Sequence, residues 1–525
     1  MKKIFNEKIL HILVLLLIIL QPVMDLDYLF YDFLDSLGLP RLSTIVRFIV
    51  IPLLIIWSFF LRDKNKKKTF IFTVIYGAVL LIYFFLHTRQ AAALVPRLFL
   101  TDNFRFSLWN ELTYVLTLAI PYFVIYLCYN EKFTVKELRT ICCVISGVIS
   151  IPILIGDLFV FARSTYYGYT VANIFSWFTG IYEWYHPRTL ASKFFFNEGN
   201  TIGILLFMVL PLMYYFLATA ETKKQRIWIT ALIVIQSLSM QILATRVATY
   251  GAIVIPLMFL VLNIIDHYFF KDTPLKKQTA AVCLAVALLC GGLLNFTPAI
   301  QNQKVDAKND VALLSNRMAE EGQEVLANKP EDLVRGSTEW RNFYVFAFET
   351  YGIVNRFIQS VPSMYYTDFY NYQHDPEFWT YVTLEIPVFD RVSGRQVETI
   401  FFNYKYQELT SAEKILGFGY STFMNGSIVL EQDFKQQIYT LGYAGEVLLV
   451  LPWIVLCMYG AYCFVRYHKK MFNLLNVCMV VALGAGFGSA WLSGHMLDQF
   501  ITSLFAALIA AILLNKVSEA KEELA

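Results

Sequence analysis

The feature that most restricts this chain is its succession of apolar stretches, each near the length of a membrane-crossing helix. Such a helix needs about 20 apolar residues. Twelve segments qualify: 8–24, 42–61, 70–87, 109–129, 138–161, 201–220, 227–244, 248–266, 279–296, 443–465, 471–493 and 496–515. In hydrocarbon every backbone N–H and C=O must find a partner inside the protein, which a helix provides along its own length. The expected fold is therefore an all-α polytopic membrane protein of about 12 transmembrane helices.

Composition agrees. The chain is 57% hydrophobic and 16% charged, too little charge for a soluble protein of 525 residues. Its 45 Phe and 32 Tyr suit lipid-facing helices with aromatic belts. A net charge of +3 gives no argument for nucleic acid as a partner. Cys128, Cys142, Cys143, Cys283, Cys290, Cys457, Cys463 and Cys478 lie in apolar segments or at their edges without metal-ligand spacing, and are read as buried small hydrophobes. The start, "MKKIFNEKIL", is basic like a signal peptide. No small-x-small cleavage site follows and the chain runs on into further spans, so a retained first helix is expected.

Orientation follows from Lys and Arg. One set of connections carries 22 positive residues, including "RDKNKKK" at 62–68 and "KKQR" at 223–226. The opposite set carries eight: Arg41, Arg89, Arg97, Arg105, Arg163, Arg188, Lys193 and Arg246. Both termini are expected in the cytoplasm of a cell with this protein in its cytoplasmic membrane. Residues 1–296 then hold nine spans. Residues 297–442 form one large extracytoplasmic loop, and 443–525 hold three spans and a cytoplasmic tail, all parts of one integrated unit. The loop has no Cys and is rich in aromatics ("SMYYTDFYNYQHDPEFWTYV"), so it is expected to pack rather than to be disordered. Helical patches are expected over 311–357, with Val334, Phe343, Phe346 and Ile353 among their apolar positions.

Four features fall on the outside under this orientation. "LATRVATYG" sets Arg246 between two spans, where a charge must be paired, wetted or led to the interface by its own methylenes. "RVSGRQVETIFFNYKYQELTSAEKILGFGYSTF" holds Arg395 in a Ser-Gly-Arg turn, then a helical pattern, then Gly417 and Gly419. A guanidinium fork matches phosphate oxygens, and the glycines would let backbone approach a ligand. An ordinary helix start and turn would read the same way. "FFFNEGNTIGILLFMVLP" gathers Asn197, Glu198 and Asn200 at the start of the sixth span, as site groups or as a helix cap. "LEQDFKQQIYTLGYAGE" puts Glu431 and Asp433 shortly before the tenth span, with Gly442 and Gly445 between. On a helix Glu431 would pair with Lys435, and the two carboxylates would diverge. Only an extended backbone sets both on one side. One of the two, not both, is expected to face a site.

In this order the pieces resemble the O-antigen ligase and polymerase superfamily, membrane glycosyltransferases of the inverting C-type fold. The likeness covers roughly 195–515. "NTIGILLFMVLP" is similar to the family's Asn-x-x-Gly helix entry ending in Leu-Pro. "ATRVATYGAIV" resembles the segment of its first functional Arg, here Arg246. "SGRQVETI" with "ILGFGYSTF" resembles its second Arg motif and following Gly-rich turn, here Arg395. "LEQDFKQQIYTLGYAGEVLLV" resembles its His-Asn-x-x-Leu segment ending in Gly-x-x-Gly, and "SGHMLDQF", with His495, the start of its last span. Aligning Gly442 and Gly445 to the family's two glycines puts Glu431 where the ligases carry a functional His. A Glu-x-Asp there resembles a branch associated with Gram-positive bacteria.

The resemblance implies transfer of a glycan from undecaprenyl pyrophosphate on the outer face of the membrane, to build capsule or another cell-wall polysaccharide. The acceptor would be a glycan or glycolipid, and other polysaccharide-assembly proteins are conceivable partners. Arg246 and Arg395 would converge on one cavity and hold the donor pyrophosphate, because the leaving group is anionic. Glu431, ionised at pH 7 if unperturbed, would act as base or orient the acceptor, with Asp433 beside it. Asn200, Glu198, Gly417, Gly419 and His495 would line the site. No cofactor is implied and no metal is required, in keeping with an expected absence of any Asp-x-Asp cluster on the outside. Polymerase and ligase share this donor and differ in acceptor. A flippase or secondary transporter is the alternative on span number, although such proteins usually show repeats and midplane polar sites. A non-catalytic assembly protein is a third possibility.

The charge bias makes a direct prediction. In a variant without its native cysteines, Cys introduced at position 330 should react with a membrane-impermeant maleimide on intact cells. Reaction only after lysis would reverse the orientation.

Overall fold

The apolar runs fold as helices. The computed structural model describes residues 6–37, 39, 41–165, 191–270, 273–301, 303–304, 318–353, 361–387, 390–391 and 393–523. Arg188 and residues 311–317 and 354–357 of the expected helical patches lie outside them. Among the described residues ten helices are long and apolar enough to cross a membrane. A bent pair, Asp433–Leu449 and Leu451–Arg466, makes an eleventh at an angle of 41°. The chain is an all-α polytopic membrane protein. Its described strands are one short antiparallel pair, Arg163–Ser164 with Ser192–Phe194.

The one expected span not among these, the seventh at 227–244, is a helix, Lys223–Ile242, but a more polar one. It begins with a capping box between Thr222 and Gln225 and buries Gln236, Ser237, Ser239 and Gln241. Gln236, Ser239 and Gln241 bond to neighbouring helices. Ser146 donates to the Gln236 side-chain oxygen at 2.7 Å, Gln236 Nε2 to the Leu206 carbonyl at 2.8 Å, and Ser239 to the Ser150 carbonyl at 2.8 Å. The last span also starts later than its hydropathy suggests. Gly494 and His495 adopt φ of +70° and +64°, and the helix begins at Phe500. Cys457 is exposed and Cys143 half-buried, whereas the other six cysteines are buried.

The chain divides into two compact units. One comprises Met1–Phe72, Thr117–Asn302 and Trp453–Ala525, the other Thr73–Leu116 and Gln303–Pro452. The first is built around the helix Gly199–Ala218, which is apolar on every side and almost wholly buried, as a central helix must be. The helices Val135–Leu158, Lys223–Ile242, Arg246–Ile265 and Leu474–Leu492 surround it. Close approach is achieved at glycine: a Cβ on Gly203 would lie 2.7 Å from Thr245 Oγ1, and one on Gly251 2.8 Å from Phe207 Cε2. At one end of this unit lies Asp25-Leu26-Asp27, an Asp-x-Asp in a connection that the charge bias places outside, which the sequence reading passed over. Both carboxylates are engaged by cations. Asp27 accepts from Arg41 at 2.6 Å and from the Ser43 amide at 2.7 Å, and Asp25 pairs with Arg47 at 2.7 Å.

The second unit holds most of the large loop, folded on an aromatic core. Phe99, Phe104, Tyr370, Phe378, Trp379, Phe401, Phe402 and Phe423 are all buried in one cluster. Edge-to-face pairs such as Phe104–Tyr370 at 5.5 Å and Phe378–Phe401 at 5.2 Å order it. The loop is packed, with Leu94 to Phe104 of the membrane segments inside the same cluster. Its early helices, Met318–Ala327 and Thr338–Ala347, turn a different face inward from the apolar positions first noted. Val334, Phe346 and Ile353 are exposed. Trp340, Tyr344, Ala347 and Phe348 are buried, at the i, i+4, i+7, i+8 spacing of one helical face.

A buried ion pair crosses this core. Lys405 Nζ lies 3.1 Å from Asp375 Oδ2, with both side chains at 0% exposure. Tyr370 donates to the same oxygen at 2.6 Å and accepts from Lys405 at 3.0 Å. Burial pushes the Asp375 carboxyl up, but Lys405, Tyr370 and Arg335 together hold it below the usual carboxylate range. Removing Lys405 leaves the buried Asp375 charge with Tyr370 and the more distant Arg335 only. Lys405→Met should therefore destabilise the second unit by about 3–5 kcal/mol, read as a lower unfolding midpoint in detergent. Lys405→Met with Asp375→Leu should recover much of the loss.

Candidate functional site

In the second unit the side chain of Arg395 is set by a helix cap. Ser393 accepts from the Gln396 amide and the Gln396 side chain accepts from the Ser393 amide at 3.0 Å, starting the helix Gly394–Gln407. Arg395, in its first turn, donates from Nε to Glu431 Oε2 at 2.5 Å, and Nη2 contacts the same oxygen. Both side chains are partly exposed. Glu431 precedes the helix Asp433–Leu449 and is separated from it by extended Gln432, φ −134° and ψ 102°. The i,i+4 pair with Lys435 does not form, because the helix starts two residues after Glu431. Asp433, its first residue, is buried. Of the two carboxylates, Glu431 is the one that meets the arginine.

Tyr365 closes one side. Its hydroxyl donates to Glu398 at 2.7 Å, one helical turn on from Arg395. A Cβ on Gly394 would lie 2.7 Å from that hydroxyl. Burial, Glu398 and Glu431 push the Tyr365 hydroxyl well above its ordinary range, so it remains a donor.

Gly417 and Gly419 stand at close approaches between segments. The close approach they permit is to the chain itself. Phe418 N–H donates to Tyr439 O at 3.1 Å and Gly419 N–H to Thr440 O at 2.8 Å. A Cβ on Gly442 would sit 2.5 Å from Gly417 N, and one on Gly417 2.5 Å from Thr440 O. Both glycines have positive φ, +77° and +68°, which other residues adopt only with strain. Gly442 also interrupts the Asp433–Leu449 helix, so Glu431 stands just before a short helix pinned at this crossing.

A second anchor lies behind the turn. Glu111 accepts from the amides of Tyr420 at 3.0 Å and Ser421 at 2.8 Å, and from His87 Nε2 at 2.9 Å. His87 Nδ1 faces the Leu416 carbonyl at 2.6 Å. His87 and Glu111 are fully buried.

The remaining expected residues gather at one end of the first unit. Glu198 occupies the N-cap position of the helix Gly199–Ala218 without capping it. Its carboxylate instead accepts from Thr201 at 3.0 Å. His495 Nδ1 lies 3.9 Å from Glu198 and 3.6 Å from Asp498. Asp25, Glu198, Thr201 and Gln499 line a cavity of about 10 Å³, room for one water. Burial pulls the nearby Lys193 ammonium below its usual range, against Glu198 and with Arg163. Asn200 is half-buried in the first turn of that helix. Arg246 is exposed at the start of the helix Arg246–Ile265, where Thr245 accepts from the Ala248 amide. Since Thr245 and Ala248 are what a Cβ on Gly203 would meet, Arg246 emerges beside the first turns of the Asn200 helix.

Over residues 6–520 the sequence matches the family described as O-antigen ligase like membrane protein. The chain belongs to this family. No curated protein and no solved structure matches the chain. The family suggests a membrane glycan polymerase or ligase, and its description together with the apolar helices makes the chain a multi-pass membrane protein. For a family member of that kind, the structure brings Arg395 to Glu431 in one unit and Glu198, Asn200, Arg246 and His495 to one end of the other. Sequence reasoning missed Tyr365, Glu398, Asp498 and the His87–Glu111 pair. For the pair a signal was available, since ionisable groups within apolar spans are expensive and are retained for a reason.

The crossing is open to test. Gly417→Ala forces a Cβ against the Thr440 carbonyl at a positive φ, a strain of about 1–2 kcal/mol or more. It should lower the unfolding midpoint, whereas Gly460→Ala, with open space around it, should not.

Proposed function

We propose that this protein transfers or polymerises a glycan carried on undecaprenyl pyrophosphate, at the outer face of the cytoplasmic membrane. The reaction is a single displacement with inversion and needs no metal. One observation carries the reading: Arg395, on a capped helix, holds Glu431 at 2.5 Å on a frame fixed by the Gly417–Gly442 crossing. A guanidinium beside a carboxylate joins an anion-binding group to a proton acceptor. The acceptor hydroxyl attacks the anomeric carbon and gives its proton to Glu431. The bond from that carbon to the pyrophosphate oxygen breaks, and the electron pair leaves on the pyrophosphate. Arg395 stabilises the developing charge with the donors that Glu431 does not occupy.

Asp433, buried at the helix start, positions Glu431 rather than reacting. Arg246 is a second candidate for the pyrophosphate, and Glu198, Asn200 and His495 are candidates for contacts to the substrate. The partners on this reading are a lipid-linked oligosaccharide donor and a glycan or glycolipid acceptor.

The test is turnover of a purified lipid-linked glycan by the protein in liposomes. Glu431→Gln should cut turnover by about 10²–10⁴-fold while donor binding persists. Glu431→His should retain part of the activity if a histidine can fill the same role. Arg395→Ala and Arg246→Ala should each abolish product, and Arg395→Lys should rescue poorly because it lacks the fork. Full activity in Glu431→Gln together with loss in Asp433→Asn would move the base to Asp433. Movement of the lipid-linked glycan across the bilayer without a new glycosidic bond would make the protein a transporter.

A further inference from the structure

Away from the Arg395–Glu431 pair, the second unit contains a groove of about 440 Å³, within the range of small-ligand sites. Lys329, Glu331, Arg335, Glu377, Tyr404 and Gln407 are among its walls. Two of its polar groups, Glu377 and Arg335, are held in place by the protein itself. Glu377 is held at both oxygens, by Trp340 Nε1 at 3.1 Å and by the Tyr344 hydroxyl at 3.1 Å. Arg335 donates to Glu408 at 3.2 Å and lies 3.5 Å from Asp375 and 3.8 Å from Glu377. Burial opposes its charge, but Asp375 and Glu408 more than compensate, so the guanidinium is held above its usual range. The floor is thus continuous with the buried Lys405–Asp375 pair, and binding needs little rearrangement.

The chemistry of the walls narrows the ligand. The carboxylates Glu331, Glu377 and Glu408 outnumber the cations Lys329 and Arg335, which disfavours a phosphate or a nucleic acid. Leu333 and Pro330 are the only aliphatic residues in the lining, too little apolar surface for a lipid chain. Fixed acceptors, a guanidinium, the Gln407 amide and the half-buried ring of Tyr404 together match a polyhydroxylated ring. The geometry points to a second saccharide-binding site, for a neutral or amino-sugar segment of the glycan that Arg395 and Glu431 act upon. It rests on the glycosyl-transfer reading above. Tyr404 and Gln407 stand nine and twelve residues beyond Arg395 on the helix Gly394–Gln407, roughly 14–18 Å at 1.5 Å per residue. An oligosaccharide of a few residues spans that distance. The groove therefore holds sugars remote from the reacting end and favours long chains over short ones.

The experiment uses Gln407→Trp, which fills the groove from an exposed position and leaves the Glu377 and Arg335 bonds intact, and Glu331→Gln, also at an exposed position. Two readouts are taken on full-length protein with an unchanged unfolding midpoint. The first is binding of oligosaccharide released by mild acid from the producing cell's own surface polysaccharide, by calorimetry. The second is product length, with the initial rate on a single-repeat acceptor as control. Gln407→Trp should weaken binding about tenfold or more and shorten the products, with the single-repeat rate unchanged. Glu331→Gln should move both in the same direction by less. Wild-type binding and product length in Gln407→Trp would overturn the proposal. If the wild-type protein forms no glycosidic bond, the transfer reading fails while the titration still decides the groove. Saturable binding lost in Gln407→Trp would keep it a saccharide site, and no binding by wild type would end it.

Discussion

The second unit depends on one contact between backbones. Gly417 and Gly442 meet with no side chain between them, and the amides of Phe418 and Gly419 reach the carbonyls of Tyr439 and Thr440. The turn after the Arg395 helix is thereby tied to the helix that follows Glu431. Glu111 holds the far side of the same turn through two amides, with His87 bracing it. A guanidinium and a carboxylate at 2.5 Å need supports this stiff, because both sit on short segments that would otherwise drift.

The two units solve different packing problems. In the first, helices close on Gly203 and Gly251, and the polar groups of Lys223–Ile242 are spent on neighbouring helices. That internal bonding is what lets a helix with Gln236 and Gln241 at its heart sit among apolar ones. In the second, aromatic rings supply most of the buried area and a lysine–aspartate pair passes through them. Polar groups there fix one arrangement of rings that could otherwise pack in several ways.

Much of this was legible in the sequence. Apolar length and helix periodicity located nearly every span, and Ser393, Gly394 and Arg395 announced a helix start that the structure contains. The misreadings share a cause: hydropathy and spacing describe one segment at a time. The late start of the last helix comes from positive φ at Gly494 and His495. The buried face of Thr338–Ala347 is chosen by the core it meets, so Trp340 and Tyr344 turn inward while Phe346 does not. Gly417 and Gly419 were read for a ligand because nothing local reveals that their partner lies more than twenty residues on. Glu431 was singled out by its place before two glycines, yet its partner Arg395 is a tertiary fact. His87 and Glu111 are 24 residues apart on separate helices, and neither alone says what it holds.

Small domains with modest cores often take their internal ties from disulfides. Residues 297–442 contain no cysteine, and the Lys405–Asp375 pair serves as the internal tie. Its assembly needs no oxidase, and reductants leave it untouched. The sensitivity is to protons instead. Asp375 has a folded-state pKa below its unfolded one, so its contribution is complete above about pH 4 and fades as acidity increases beyond that point. A shift in redox poise therefore leaves the domain fastened, whereas strong acid reaches the fastening.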